Sequence, residues 1–170
     1  MAIGRFIAGI GALIYDPEDD KYLLLRRSSE KDFAPGAWEC VTGRVDQGES
    51  FEGALHREVR EEIGIEVHPL FLIGTTHFFR GEPRPENELV GLVYCCSIEN
   101  KRNNKKEIQL SAEHAEYRWL TAGQARLILN ASNPTERWLR RVIERAEVTM
   151  ECLPPDLIKL HRRQGFELDN

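Results

Sequence analysis

The stretch from Gly43 to Ile65, GRVDQGESFEGALHREVREEIGI, narrows what this chain can fold into more than any other. At roughly 100° per residue on a helical wheel, Phe51, Leu55, Val59 and Ile63 line up as one apolar stripe. Glu58, Glu61 and Glu62 fall on the flank of that stripe and overlap its edge, whereas His56 and Arg60 point to the far, solvated side. Residues three and four apart on a helix are neighbours, and like charges at that spacing destabilise it. Carboxylates at the edge of a buried stripe either line a cleft or waste stability. A hard divalent cation with oxygen ligands is the natural partner for them. The plainer alternative is a surface helix with pairs such as Arg57–Glu61, and it leaves the preceding loop unexplained.

That loop has its own logic. Gly43 and Gly48 permit backbone conformations closed to other residues. Ser50 is placed to cap a helix, Glu52 suits its first turn, and Gly64 sits where a C-cap belongs. The segment therefore reads loop, helix over Phe51–Ile63, loop, with an acidic face looking back at Gly43. Arg57 sits among the glutamates and can hold one through a bidentate pair.

In this register the stretch resembles the Nudix box, G-x5-E-x7-R-E-U-x-E-E-x-G-U, where U is aliphatic. Gly43, Glu49, Arg57, Glu58, Val59, Glu61, Glu62, Gly64 and Ile65 fill every fixed position. The flanks are similar too, across roughly residues 5 to 147, with Tyr22–Ser28 and Gly36-Ala-Trp38 leading into the box. The resemblance implies an α/β fold, the Nudix α/β/α sandwich with a mixed β-sheet. It implies hydrolysis of a pyrophosphate bond in a nucleoside diphosphate-X compound, with Mg2+ or Mn2+ as cofactor. It places the metal on Glu58, Glu61 and Glu62, with the Gly43 carbonyl as a further ligand, and it makes one carboxylate available as general base. Glu49 supports the site by hydrogen bonding. Glu113, in Ser111-Ala-Glu-His-Ala-Glu-Tyr-Arg-Trp119, resembles the acidic loop residue that approaches the metal in mutator-type members; a solvated loop glutamate is the alternative. His114 beside it reads as an exposed loop histidine, with a general base as the alternative.

Length and composition fit one such domain. A chain of 170 residues with 41% hydrophobic and 30% charged content can bury an ordinary soluble core. The net charge of −5 argues against a broad nucleic-acid surface and leaves room for one nucleotide bound through a metal. Cys40, Cys95, Cys96 and Cys152 have neither zinc-ligand spacing nor a secreted disulfide frame, which points to reduced thiols in a cytoplasm. No segment is apolar enough to span a bilayer. The N-terminal IGRFIAGIGALIY lacks a basic n-region and a cleavage site and runs into the acidic turn Asp16–Asp20, so it reads as a buried strand rather than a signal peptide.

Strands are expected over Arg5–Tyr15 and Tyr22–Arg27 as a hairpin, then Trp38–Thr42, Val67–Phe79, Glu88–Ile98 and Ala115–Leu120. Arg80–Asn87 reads as a loop at the substrate lip, and Glu99–Glu107 as a polar connection. Thr121 opens a helix over Ala122–Leu129, and Pro134 another through Glu147. This order puts helices on both faces of a mixed sheet. Residues 1–148 make the hydrolase domain. Residues 149–170 make an extension with a break at Pro154-Pro155 and one short helix, to which the sequence assigns no role.

For substrate contacts the candidates are Arg26, Arg27, Trp38 and Phe79, with His77 and Phe78 beside them: arginines grip phosphates and aromatic faces stack on bases. Many Nudix proteins carry Pro-Gly-Gly before the box; here the chain has Val41-Thr42-Gly43. Trp38–Gly43 together with Glu113–Trp119 is similar to the branch acting on dATP and dihydroneopterin triphosphate. The expected partner is a small-molecule nucleotide, with no nucleic-acid polymer and no membrane; assembly is left open, a homodimer included. An ADP-ribose or dinucleoside polyphosphate hydrolase is the alternative, followed by a non-catalytic nucleotide sensor, against which the intact carboxylate set argues.

Overall fold

A computed structural model describes residues 5–98 and 107–168. Strands β1 (Ile7–Asp16) and β2 (Lys21–Arg27) form the expected hairpin, antiparallel with Ile14 opposite Leu23. The single strand expected over Trp38–Thr42 is instead two. β3 (Trp38–Glu39) pairs with β2, and β4 (Val41–Arg44) pairs with β1. The chain changes partner at Cys40, and that switch interrupts the run. β5 (Val67–Phe79) and β6 (Glu88–Ile98) pair antiparallel, joined through a 3-10 turn at Pro85–Asn87. β6 runs parallel to β1, and β7 (His114–Leu120) lies antiparallel to β2. The sheet is therefore mixed, with the central order β3-β2-β1-β6-β5.

Both faces of this sheet are covered, which explains the unbroken apolar run of β2. Ile10, Ala12, Ile14, Leu23 and Leu25 meet Leu55, Val59 and Ile63 of α1 (Phe51–Ile63). On the opposite face Leu13, Tyr22 and Leu24 meet Ala125 of α2 (Ala122–Ile128) and Leu139, Val142 and Ile143 of α3 (Pro134–Cys152). The result is an α/β/α sandwich.

Helix α2 opens with a capping box between Thr121 and Gln124. Helix α3, capped by Asn133, runs past Glu147 to Cys152. No helix-breaking residue intervenes before Pro154, and Met150 and Leu153 still pack on the core. A last helix, α4 (Pro155–Gln164), lies against β5. The polar connection expected at 99–107 lies outside the described residues except for Glu107. Among the described residues no helix is long and apolar enough to cross a membrane.

Candidate active site

Helix α1 is built as its sequence demands. Ser50 accepts a hydrogen bond from the Gly53 amide, and Gly64 closes the helix in the left-handed region at φ 70°. Gly48 also has positive φ, as expected. Gly43 does not, and its glycine has a different cause: a Cβ there would overlap the Glu58 carboxyl. The box glycine thus lets the helix carboxylate press flat against strand β4.

The three helix glutamates are graded rather than equivalent. Glu61 is largely exposed, Glu58 is mostly covered, and Glu62 is buried. Burial pushes Glu58 above the usual carboxylate range against the pull of Arg57. Glu62 is pushed much further, first by burial and then by the charges of Glu39, Glu58 and Glu113. Its Oε2 is buried with no hydrogen-bond partner.

Arg57 is the clamp of this face. It donates through Nε and one terminal nitrogen to both oxygens of Glu49, at 2.9 and 2.8 Å. The same side chain reaches Glu58 at 2.9 Å, the Arg44 carbonyl at 2.9 Å and Glu61 at 3.4 Å. The bidentate partner is therefore Glu49, whose carboxyl is held down to about 2, chiefly by Arg57. The Asp46 amide also donates to Glu49, so the box loop is tied to the helix.

A second group of residues closes the site from below. The amides of Gln109 and Ser111 donate to the carbonyls of Ile63 and Glu62, the free acceptors at the end of α1. This docking brings Glu113 and His114 to Glu62. His114, expected to be exposed, is buried, because it opens strand β7 opposite Arg27. Its Nε2 lies 3.0 Å from Glu39 Oε1 and 3.8 Å from Glu62 Oε2. Arg27 donates to both Glu39 oxygens at 2.9 Å and to the Phe33 carbonyl at 2.8 Å. An Arg27–Glu39–His114 chain thus abuts Glu62. Glu113 pairs with Lys31, which holds its carboxyl below the usual range, and its charge still reaches Glu62.

The residues expected to contact substrate are not gathered in one place. Arg27 is committed to Glu39 in the buried pair rather than free to grip phosphate. Arg26 and Trp38 are cross-strand partners on the α2–α3 face, away from the helix carboxylates. Trp38 is only 7% exposed, with the Arg118 and Arg26 guanidinium groups 5.1 and 6.0 Å from its ring centroid. Phe79 sits edge-on to His77, which pairs with Glu88. Phe78 instead stacks with Phe33, ring centroids 6.4 Å apart, and Arg80 and Arg27 lie over Phe33 at 5.6 and 5.9 Å. Sequence reading missed Phe33, Glu39 and Lys31. For Glu39 the strand register carries the signal: it pairs with Leu25, whose neighbours belong to the α1 face.

The donor set suits a hard divalent cation. Glu62 offers a buried carboxyl oxygen that nothing in the protein satisfies, in a field of other carboxylates. Among the described residues, however, no three His, Cys, Asp or Glu side chains already converge as a metal cage. Arg57 occupies Glu58, and Glu61 turns outward.

A family model described as the NUDIX domain matches residues 5–142. The chain is 42% identical over 69 residues to the NAD-capped RNA hydrolase NudC of Stutzerimonas stutzeri, a match spanning 41% of this chain and only 23% of that protein. It is 30% identical over 110 residues to the nucleoside triphosphatase NudI of Escherichia coli, covering 60% of this chain and 74% of that one. Among solved structures, the MutT protein from Methanosarcina mazei Go1 superposes with a TM-score of 0.66 at 25% identity, over 89% of this chain and 99% of the other. The E. coli dihydroneopterin triphosphate pyrophosphohydrolase gives 0.58 at 25% identity, over 85% and 99%.

Proposed function

This chain belongs to the NUDIX domain family and is a Nudix hydrolase, acting on pyrophosphate bonds of nucleotide-type compounds, and from that premise we propose that its substrate is a nucleoside or pterin triphosphate, cleaved to monophosphate and pyrophosphate. The observation that carries the catalytic reading is Glu62: a buried carboxyl with an unsatisfied oxygen, crowded by three other carboxylates. A protein that only bound nucleotide would have no use for such crowding.

Glu58, Glu61, Glu62 and the Gly43 carbonyl would hold Mg2+ or Mn2+, which screens phosphate charge and lowers the pKa of the attacking water. Family members generally use divalent metals. Arg57 keeps Glu58 and the box loop in register through Glu49. Glu113, brought beside Glu62 by the docking of residues 109–111 on the end of α1, is a further carboxylate we assign to the catalytic cluster, and Lys31 holds it ionised there. The Phe33–Phe78 pair with Arg80 offers an aromatic face and a cation beside this cluster, suited to a base and its phosphates. The named activities of NudI and of the dihydroneopterin enzyme support a triphosphate. We place the protein in the cytoplasm, where its four free cysteines stay reduced.

The test is relative kcat/KM with Mg2+ across dATP, other nucleoside triphosphates, dihydroneopterin triphosphate, ADP-ribose, NAD and diadenosine tetraphosphate, with products identified by phosphorus NMR. Pocket contacts worth about 1–3 kcal/mol each give a broad profile with one modest favourite among the triphosphates. A strong preference for ADP-ribose or NAD, with triphosphates untouched, would overturn the substrate and leave the metal chemistry standing.

A further inference from the structure

The family match ends at residue 142, yet the chain beyond it returns to the helix that carries the site. Strand β5 shifts register between Pro69 and Phe71, so that Leu70 has no partner residue in β6. His161 of α4 donates to the Leu70 carbonyl from Nδ1 at 2.9 Å. Arg162 donates to the Ser97 hydroxyl of β6 at 3.2 Å. Gly165 then turns the chain at φ 71°, packed so closely on Glu52 that a Cβ there would overlap its carboxyl. The Phe166 ring lies against His161, tilted by 41° with centroids 4.2 Å apart, and meets Tyr94 edge-on at 5.6 Å.

Two reciprocal bonds finish the path. The Phe51 amide, at the first position of α1, donates to Glu167 Oε1 at 2.7 Å. The Phe166 amide donates to Glu52 Oε1 at 3.1 Å. A helix start leaves its first amides without partners. Ser50 serves Gly53, and Glu167 serves Phe51 from 116 residues away.

We propose that residues 155–167 are a strap that positions α1, with Phe166 and Glu167 as positioning residues for the helix bearing Glu58, Glu61 and Glu62. The strap spans β5, β6 and the first turn of α1, so it ties the helix to the sheet at the end where the box loop enters. Loosening that turn frees Glu49 and Arg57 to shift, and with them Glu58. The inference rests on the reading above for its metal-binding and kinetic consequences, and on geometry alone for the tie between residues 166–167 and the first turn of α1.

The experiment compares Glu167→Ala, Glu167→Gln and Phe166→Ala with the wild-type protein. Three quantities are read: hydrogen exchange at amides 51–54, Mn2+ affinity by electron paramagnetic resonance, and kcat and KM on the best triphosphate. Glu167→Ala and Phe166→Ala should speed exchange in that turn at least tenfold, weaken Mn2+ at least threefold and lower kcat with KM within twofold. Glu167→Gln keeps an acceptor oxygen for the Phe51 amide and should restore most of each effect. Unchanged exchange overturns the strap contact. Faster exchange with unaltered Mn2+ affinity and kcat overturns its positioning role. If no compound in the substrate panel turns over, the functional reading falls, and Mn2+ affinity alone decides the strap.

Discussion

Replacing Glu62 by Gln should make the metal-free protein more stable while removing most of its turnover. The Glu62 carboxyl is buried, one of its oxygens is unsatisfied, and Glu39, Glu58 and Glu113 all oppose its charge. Its ordinary value is 4.5. At pH 7.5 the fold can avoid a buried charge by keeping the proton, at a cost of about 1.4 kcal/mol per pH unit above that value, or about 4 kcal/mol. That is a ceiling. Arg27 pulls the other way, and His114 Nε2 lies 3.8 Å from the orphan oxygen. A net penalty of about 1–3 kcal/mol is therefore expected, and Gln removes it without changing volume. For a chain of this length each kcal/mol moves Tm by about 2–4 °C, so the variant should melt about 3–10 °C higher in chelator at pH 7.5.

The pH dependence follows from the direction of the shift. Below 4.5 the carboxyl is protonated in both folded and unfolded chains and carries no penalty. As pH rises above 4.5 the unfolded chain releases the proton while the folded one holds it, so the wild type loses stability relative to the variant. Urea unfolding in chelator at pH 4, 6 and 7.5 should show a gap that opens with pH. A variant less stable than wild type at pH 7.5, or a gap that ignores pH, refutes the argument. Turnover with Mg2+ should meanwhile fall by about a hundredfold, the scale for losing one preorganised charge contact.

Two further outcomes follow from the same cluster. Activity should vanish in chelator and return with Mg2+ or Mn2+, and metal at about 100 times its Kd should stabilise the wild type by about 2.7 kcal/mol. The Glu58, Glu61, Glu62 triple Gln variant should lose that shift, and a retained shift would place the metal elsewhere. Gly43→Ala forces a methyl into the Glu58 carboxyl. Overpacking of that kind costs about 1–3 kcal/mol, and Mn2+ affinity should fall with it; normal affinity would show that this contact is not part of the metal site.

The helix and its caps were legible because they are local. Ser50, Gly64 and the apolar stripe each act within a few residues, and the structure builds each as read. The hairpin, the capped start of α2 and the proline start of α3 were legible for the same reason. What failed needs pairing information. Nothing local says that the run Trp38–Thr42 breaks at Cys40, because the cause is a change of partner strand. Nothing local says that His114 is buried, because its cover comes from α1 and from Glu39.

The two neighbouring arginines, Arg26 and Arg27, show where parity carries an argument and where it stops. Leu25 faces α1, so Arg27, two residues on, belongs to that face and Arg26 to the other. Alternation alone therefore separates two residues that composition makes look alike. It does not say what waits on each face. On one side Arg26 finds Trp38 and Glu116 near the surface. On the other Arg27 finds Glu39 in a buried pair, and an arginine held in that pair is not free to grip phosphate. It acts instead on the protein's own carboxylates: the Arg27 guanidinium neutralises Glu39, which His114 Nε2 also approaches at 3.0 Å, so Glu62 does not face an unpaired Glu39. The crowding of the site is survivable because each flanking carboxylate already has a cation, Arg57 for Glu49 and Glu58, Lys31 for Glu113, Arg27 for Glu39. Among the described carboxylates of this cluster, Glu62 is the buried one left without a strong cation, and that asymmetry is what makes it the position where a metal would have most to gain.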